Sequence, residues 1–252
     1  MANWNDPQPR PKDLGTGFGA SPSLNGQAVG QTAVYDQGLR RHMLSIYNYM
    51  ASGVLLSGVI ALLFARSGFA AQVIGTPLWW VIALAPLGFV FGMSFGANRM
   101  QTGTLQAMFW GFCAVMGLSL STIFLVFTGA SIASTFFATA GAFAGLSLFG
   151  YTTQRNLTGM GSFLIMGLVG IIIAMVINIF LQSPGLMFAI SILGVLIFAG
   201  LTAYDTQRLK EQYYHVAGSD FAGKAVVLGA LTLYLDFINM FQFLLSFLGS
   251  RE

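Results

Sequence analysis

Residues 224–248 read KAVVLGALTLYLDFINMFQFLLSFL. In helical form this run rises about 37 Å, enough to cross a hydrocarbon core of about 30 Å. One acid, Asp236, interrupts it about twelve residues in, with no adjacent cation. On a helical wheel Thr232, Asp236 and Asn239 fall within an arc of roughly 60°, and Gln242 lies further round the same side. An acid at the centre of a membrane helix costs about 2.5–3.5 kcal/mol on insertion scales. Such a stripe has to look into a helical bundle and not into lipid. The stretch therefore predicts an all-α membrane protein with its last helix central.

Working outward, six further apolar runs recur at roughly 43–65, 78–97, 105–127, 132–151, 160–181 and 186–205. With the last run they predict a seven-transmembrane helix bundle over residues 39–252. Composition demands the same solvent. Charged residues make up 8% of the chain and apolar residues 56%, with a mean hydropathy of +0.74. A soluble domain carries about 25% charged residues. The net charge of +3 comes without any basic run, so nucleic acid is not an expected partner. The lipid bilayer is.

Residues 1–38 are rich in Pro, Gly, Asn and Ser, with few large apolar side chains. They cannot bury enough surface to offset their ordering entropy, and are expected to form a disordered cytoplasmic tail. No short apolar core with a small-residue cleavage site is seen in it, so the first span is expected to direct insertion. The connections between spans are short, except residues 206–223, whose first turns could prolong helix six.

Orientation is read from Lys and Arg. With the N-terminus inside, nine of the eleven cations lie inside: Arg10, Lys12, Arg40, Arg41, Arg99, Arg155, Arg208, Lys210 and Lys224. Arg66 and Arg251 lie outside. That bias predicts a cytoplasmic N-terminus in an inner (plasma) membrane and, after seven spans, an external C-terminus. Trp79 and Trp80 at a span start fit an interfacial belt. Gly88, Gly92 and Gly96, and again Gly141 and Gly145, have the spacing that lets helices approach closely. Cys113, the single cysteine, leaves no intramolecular disulfide and reads as a packing residue.

Two acids lie in or at the spans. Asp236 is one; Asp205, in GLTAYDTQRLK at the inner end of span six, is the other. By simple helical rise Asp236 lies about ten ångströms deeper. A tilt, or a later start of the last helix, would bring the two level. Buried together, they would share protons and titrate as one unit. Ionised, they would offer hard oxygen ligands suited to Ca²⁺. The structural alternative pairs Asp205 with Arg208 and bonds Asp236 to Asn239 and neighbouring hydroxyls. Arg99, at the inner end of span two, either pairs with one of the acids or only marks the inside face. Asn178 reads as a packing hydrogen bonder. His42 and His215 have no second ligand at metal spacing and stay unassigned.

FAGLTAYDTQRLKEQY (residues 198–213) and ALTLYLDFINMFQFLLSFLG (residues 230–249) together resemble the Bax inhibitor-1 (transmembrane Bax inhibitor motif) family, with bacterial members nearest in character. The resemblance covers about residues 40–250. It implies six helices around a central seventh and a pH-sensitive calcium leak. It also implies a proton-sensing aspartate pair, matching Asp205 and Asp236, and an arginine linked to the first of them, for which Arg99 is the positional match. Some members carry an acid within span two; LAPLGFVFGMSFG has none.

Two other readings compete. An intramembrane aspartyl protease would use two carboxylates sharing a proton to activate water. Its GxGD and PAL elements are missing here, so no catalytic residue is assigned and no enzyme is expected. A non-transporting regulator would bind other membrane proteins, such as a quality-control protease, through the tail. No cofactor is expected; Ca²⁺ enters as a bound or transported ion.

Overall fold

The computed structural model describes residues 24–251, with side chains from Gln37 onward. Most of the tail expected over residues 1–38 lies outside the described residues; helix α1 begins at Leu24. The described helices are α1 (Leu24–Arg66), α2 (Phe69–Val73), α3 (Pro77–Gly96), α4 (Thr102–Leu120), α5 (Ile123–Val126), α6 (Gly129–Thr152), α7 (Thr158–Leu181), α8 (Pro184–Val216) and α9 (Ala222–Leu248). Seven stretches are long and apolar enough to cross a membrane: α1 from Gln37, α3, α4 with α5, α6, α7, α8 and α9.

Local chemistry sets several boundaries. The third span breaks after Leu120, where the hydroxyls of Ser121 and Thr122 bond back to the carbonyls of Leu118 and Ser119. Hydroxyl side chains offer the backbone such alternatives to the helical ladder. Thr128 and Ser183 cap α6 and α8 by accepting from the N–H groups of Ser131 and Leu186.

The last helix is the axis of the bundle. Two thirds of its apolar window (67%) is buried, against 39% for α8 and 6% for α7. It packs on α8, α6 and α4. Its buried residues, among them Val227, Tyr234, Phe237, Met240 and Leu245, cover more than one face. A polar knot ties three helices together inside. Ser57 Oγ of α1 lies 2.6 Å from Tyr234 Oη of α9 and 2.7 Å from the Cys113 carbonyl of α4. Cys113 itself is buried packing, as its sequence context suggests.

The bundle's two ends are distinct. At one, the Thr128 N–H donates to the Ser250 carbonyl at 3.1 Å, so the end of α9 meets the turn before α6. At the other, Gln207 accepts from the Leu157 N–H and donates to the Arg155 carbonyl, both at 2.8 Å. That end carries the extension of α8. Where a long soluble connection was expected after Asp205, α8 continues to Val216, three turns further. Thr206, Gln207 and Leu209 of this extension are buried, so packing holds it helical.

The glycine reading needs one correction. A Cβ at Gly88, Gly141 or Gly145 would meet nothing within 4 Å, and one at Gly96 would meet only Met100 four residues on, so none of these mediates a close approach between helices. Gly150 does: a Cβ there would run into the Ala203 backbone, and α6 and α8 cross tightly beside the acids.

Candidate functional site

The site begins from a stripe on α9 and a turn of α8. Asp236 is 4% exposed and Asp205 8%, so both acids are buried. The two carboxyl groups line one cavity and lie close enough for each to bear on the other's charge. Two carboxylates this close in an apolar interior repel strongly unless they share a proton or a cation offsets their charge.

The expected depth difference shrinks from about ten ångströms to about five for a structural reason. Asp205 lies eleven residues before the end of α8 and Asp236 fourteen residues after the start of α9. At about 1.5 Å per residue both stand some 17–21 Å from the shared turn. The extension of α8 carries that turn away from the bilayer and lifts Asp205 toward its partner.

The surroundings are asymmetric. Asp205 Oδ1 is 3.9 Å from Arg208 Nη1, and this is the one ion pair among the described residues. The Arg208 side chain is 66% exposed, so Asp205 faces the wetter end. Asp236 Oδ2 is buried with no hydrogen-bond partner among the described residues. The polar neighbours on its own helix are occupied locally: Thr232 Oγ1 donates to the Leu228 carbonyl and Asn239 Nδ2 to the Leu235 carbonyl. The deeper carboxylate thus holds an unsatisfied acceptor beside a cavity that Asp236 lines.

That cavity, of about 550 Å³, lies among α7, α8 and α9. Its polar lining is Asp205, Arg208, Thr232, Asp236, Asn239, Gln242 and Ser246, with Phe198 and Phe243 stacked 5.9 Å apart across it. A second cavity of about 670 Å³ shares Met175, Met187 and Ser246 with it and reaches Asn178, Gln182 and Arg251 at the other end. Thr232 and Ser246 are separated by about 21 Å of helix rise. A stripe of polar side chains, Asp236, Asn239, Gln242 and Ser246, therefore runs along mostly apolar cavities from the acid pair toward the end of the bundle that holds the C-terminus.

A family model described as "Inhibitor of apoptosis-promoting Bax1" matches residues 39–252. The chain belongs to the Bax inhibitor-1 family. Similar proteins include an uncharacterised protein of Caulobacter vibrioides, 50% identical over 86% of this chain and 91% of its own length. An uncharacterised protein of Rickettsia prowazekii is 46% identical over 86% and 93%. Inner membrane protein YbhL of Escherichia coli is 43% identical over 85% and 94%.

Within this Bax inhibitor-1 fold, Asp205, Asp236, Thr232, Asn239 and Gln242 come together. Arg99 does not join them. It is exposed beyond the end of α3, and the cation beside Asp205 is Arg208, one helical turn away on the same helix. Among the described residues no group of three or more His, Cys, Asp or Glu side chains gathers. His42 stacks near Tyr213 at 5.3 Å instead of meeting a second ligand. Ser246 and Ser191 went unassigned in the sequence, although Ser246 falls on the same wheel arc as Thr232 and Asp236. Asn178 closes the end of α7, its Oδ1 accepting from the Ser183 N–H at 3.0 Å.

Proposed function

We propose that the chain is a pH-sensitive cation leak channel, with Ca²⁺ as its cargo and the Asp205–Asp236 pair as its proton sensor. The observation that carries this reading is the buried carboxyl pair beside linked cavities along α7, α8 and α9 that carry one polar stripe. With one proton shared, the pair carries a single negative charge, which Arg208 offsets from the Asp205 end. Without it, two negative charges in an apolar interior must separate or take up a cation. Arg208 can neutralise only the Asp205 end, since Asp236 is the deeper and less satisfied acid.

A Ca²⁺ ion takes six to eight oxygen ligands. Here two carboxylates would be supplemented by Asn239, Gln242, hydroxyls and water. Such a sparse site holds an ion loosely, and conduction requires binding weak enough to release. The same membrane as that of YbhL, an inner membrane protein, is proposed for this chain, with the N-terminus cytoplasmic on the nine-to-two charge split.

The test is flux through proteoliposomes holding the full chain, loaded with an indicator and challenged with Ca²⁺, Na⁺ or K⁺ over a pH series. Expected is a protein-dependent Ca²⁺ flux that changes with pH. No protein-dependent flux of any cation would sink the reading.

A further inference from the structure

On the opposite side of α9 from the ion path, α1 and α6 leave a long apolar furrow between them. Its first part has a volume of about 710 Å³, walled by Met43 to Leu55 of α1 and Phe136 to Tyr151 of α6, with Phe237 of α9 at its base. A second cavity of about 390 Å³ shares Val54, Leu55, Phe136 and Phe237 with it and continues to Leu62 and Gly129. From Arg40 to Leu55 the furrow is about 22 Å long. One leaflet contributes about 15 Å of hydrocarbon, so a whole acyl chain fits along it.

The furrow is built to stay open. Phe237 holds Phe136 and Phe143 edge-on at 5.6 and 5.5 Å, which fixes the base. Ala51, Ala140 and Ala144 keep the walls low. Its charge is confined to one end, with Tyr47 the one polar side chain further along α1. Arg40 of α1 stands there with Ser147 and Tyr151 of α6. Lys210 reaches the same end from α8, its Nζ donating to the Tyr151 carbonyl at 2.8 Å and lying 5.3 Å from the Tyr151 ring. No acid lines the furrow among the described residues.

We propose that this furrow binds one anionic phospholipid, with its phosphate at Arg40 and Lys210 and an acyl chain laid along the trough to Leu55. A convex helix surface meets lipid without regard to headgroup. A trough ending in two cations adds a charge requirement at one depth, the depth of a phosphate. Two cations near an anionic headgroup correspond to roughly a tenfold or greater preference over a zwitterionic lipid. The site is independent of the ion path and stands or falls apart from it.

Native mass spectrometry of the full chain in detergent tests this, titrating phosphatidylglycerol and phosphatidylcholine of identical acyl chains. Expected is one retained phosphatidylglycerol, favoured roughly tenfold. Arg40→Gln combined with Lys210→Gln should remove the preference, while Arg66→Gln, away from the furrow, keeps it. Ala144→Trp fills the trough and should abolish retention of both lipids, with helical content by circular dichroism checked for every variant. Excess glycerol 3-phosphate should not displace the lipid. Equal retention of the two lipids by the unaltered chain overturns the site. So does an unchanged preference in the double variant, undiminished retention in Ala144→Trp, or displacement by the soluble phosphate.

Discussion

Replacing Arg208 with glutamine isolates the one cation that stands beside the buried acids. Its guanidinium is 3.9 Å from Asp205. At an effective dielectric constant of about 20, unit charges at that distance attract by about 4 kcal/mol. The Arg208 side chain is 66% exposed, so solvent and salt screen most of this. Exposed pairs are worth about 0.2–1 kcal/mol. At 1.36 kcal/mol per pH unit, that is about 0.15–0.7 units in the midpoint of any process set by the charge on the pair. The sign follows from charge: with the cation gone, the pair holds its proton to higher pH, so the midpoint of the pH-dependent flux moves up. The assay is cation flux in proteoliposomes over a fine pH series, comparing Arg208→Gln and Arg99→Gln with the unaltered chain. Arg99 is exposed and unpaired with Asp205, so its variant should leave the midpoint in place. If Arg99→Gln shifts the midpoint and Arg208→Gln does not, the assignment of Arg208 as the neighbouring charge is refuted.

Three further outcomes are expected. Gly150→Leu should force α6 and α8 apart beside the acids, because even a Cβ meets the Ala203 backbone; a loss of at least about 1–3 kcal/mol should appear as a lower thermal aggregation temperature in detergent. Tyr234→Phe removes the hydroxyl 2.6 Å from Ser57 and should cost about 0.6–1.7 kcal/mol, the range for interhelical hydrogen bonds in membranes, measured by denaturant titration in micelles. Reporter fusions near residue 20 and after residue 252 should fall on opposite sides of the membrane, since the end of α9 meets the turn before α6 and seven spans separate the termini; reporters on one side would contradict that count.

Most of the fold was legible because membrane helices announce themselves by length and apolarity. The place of α9 at the centre was legible for a different reason: Asp236 and its polar neighbours could not face lipid. The contact between Asp205 and Asp236 was only half legible. Counting rise from the expected loop set them ten ångströms apart, because the polar sequence TQRLKEQYYHV reads as a connection. It is helix, held by the burial of Thr206, Gln207 and Leu209, and no local pattern states that burial. Likewise, Gly141 and Gly145 carry the spacing of a packing motif, but which helix face meets a neighbour is decided by the whole bundle. Arg99 could be read from the sequence as a partner of one acid or as a marker of the inside face, and the geometry puts Arg208 beside Asp205.

The most direct measurement is the pH dependence of Ca²⁺ flux through Asp205→Asn, Asp236→Asn and the double variant, each reconstituted and confirmed folded. Two carboxyls sharing one proton titrate as a unit. Each single variant should therefore displace or flatten the pH profile, and the double variant should add little beyond either single one. If both single variants keep the pH midpoint of the unaltered chain, the aspartate pair is not the sensor.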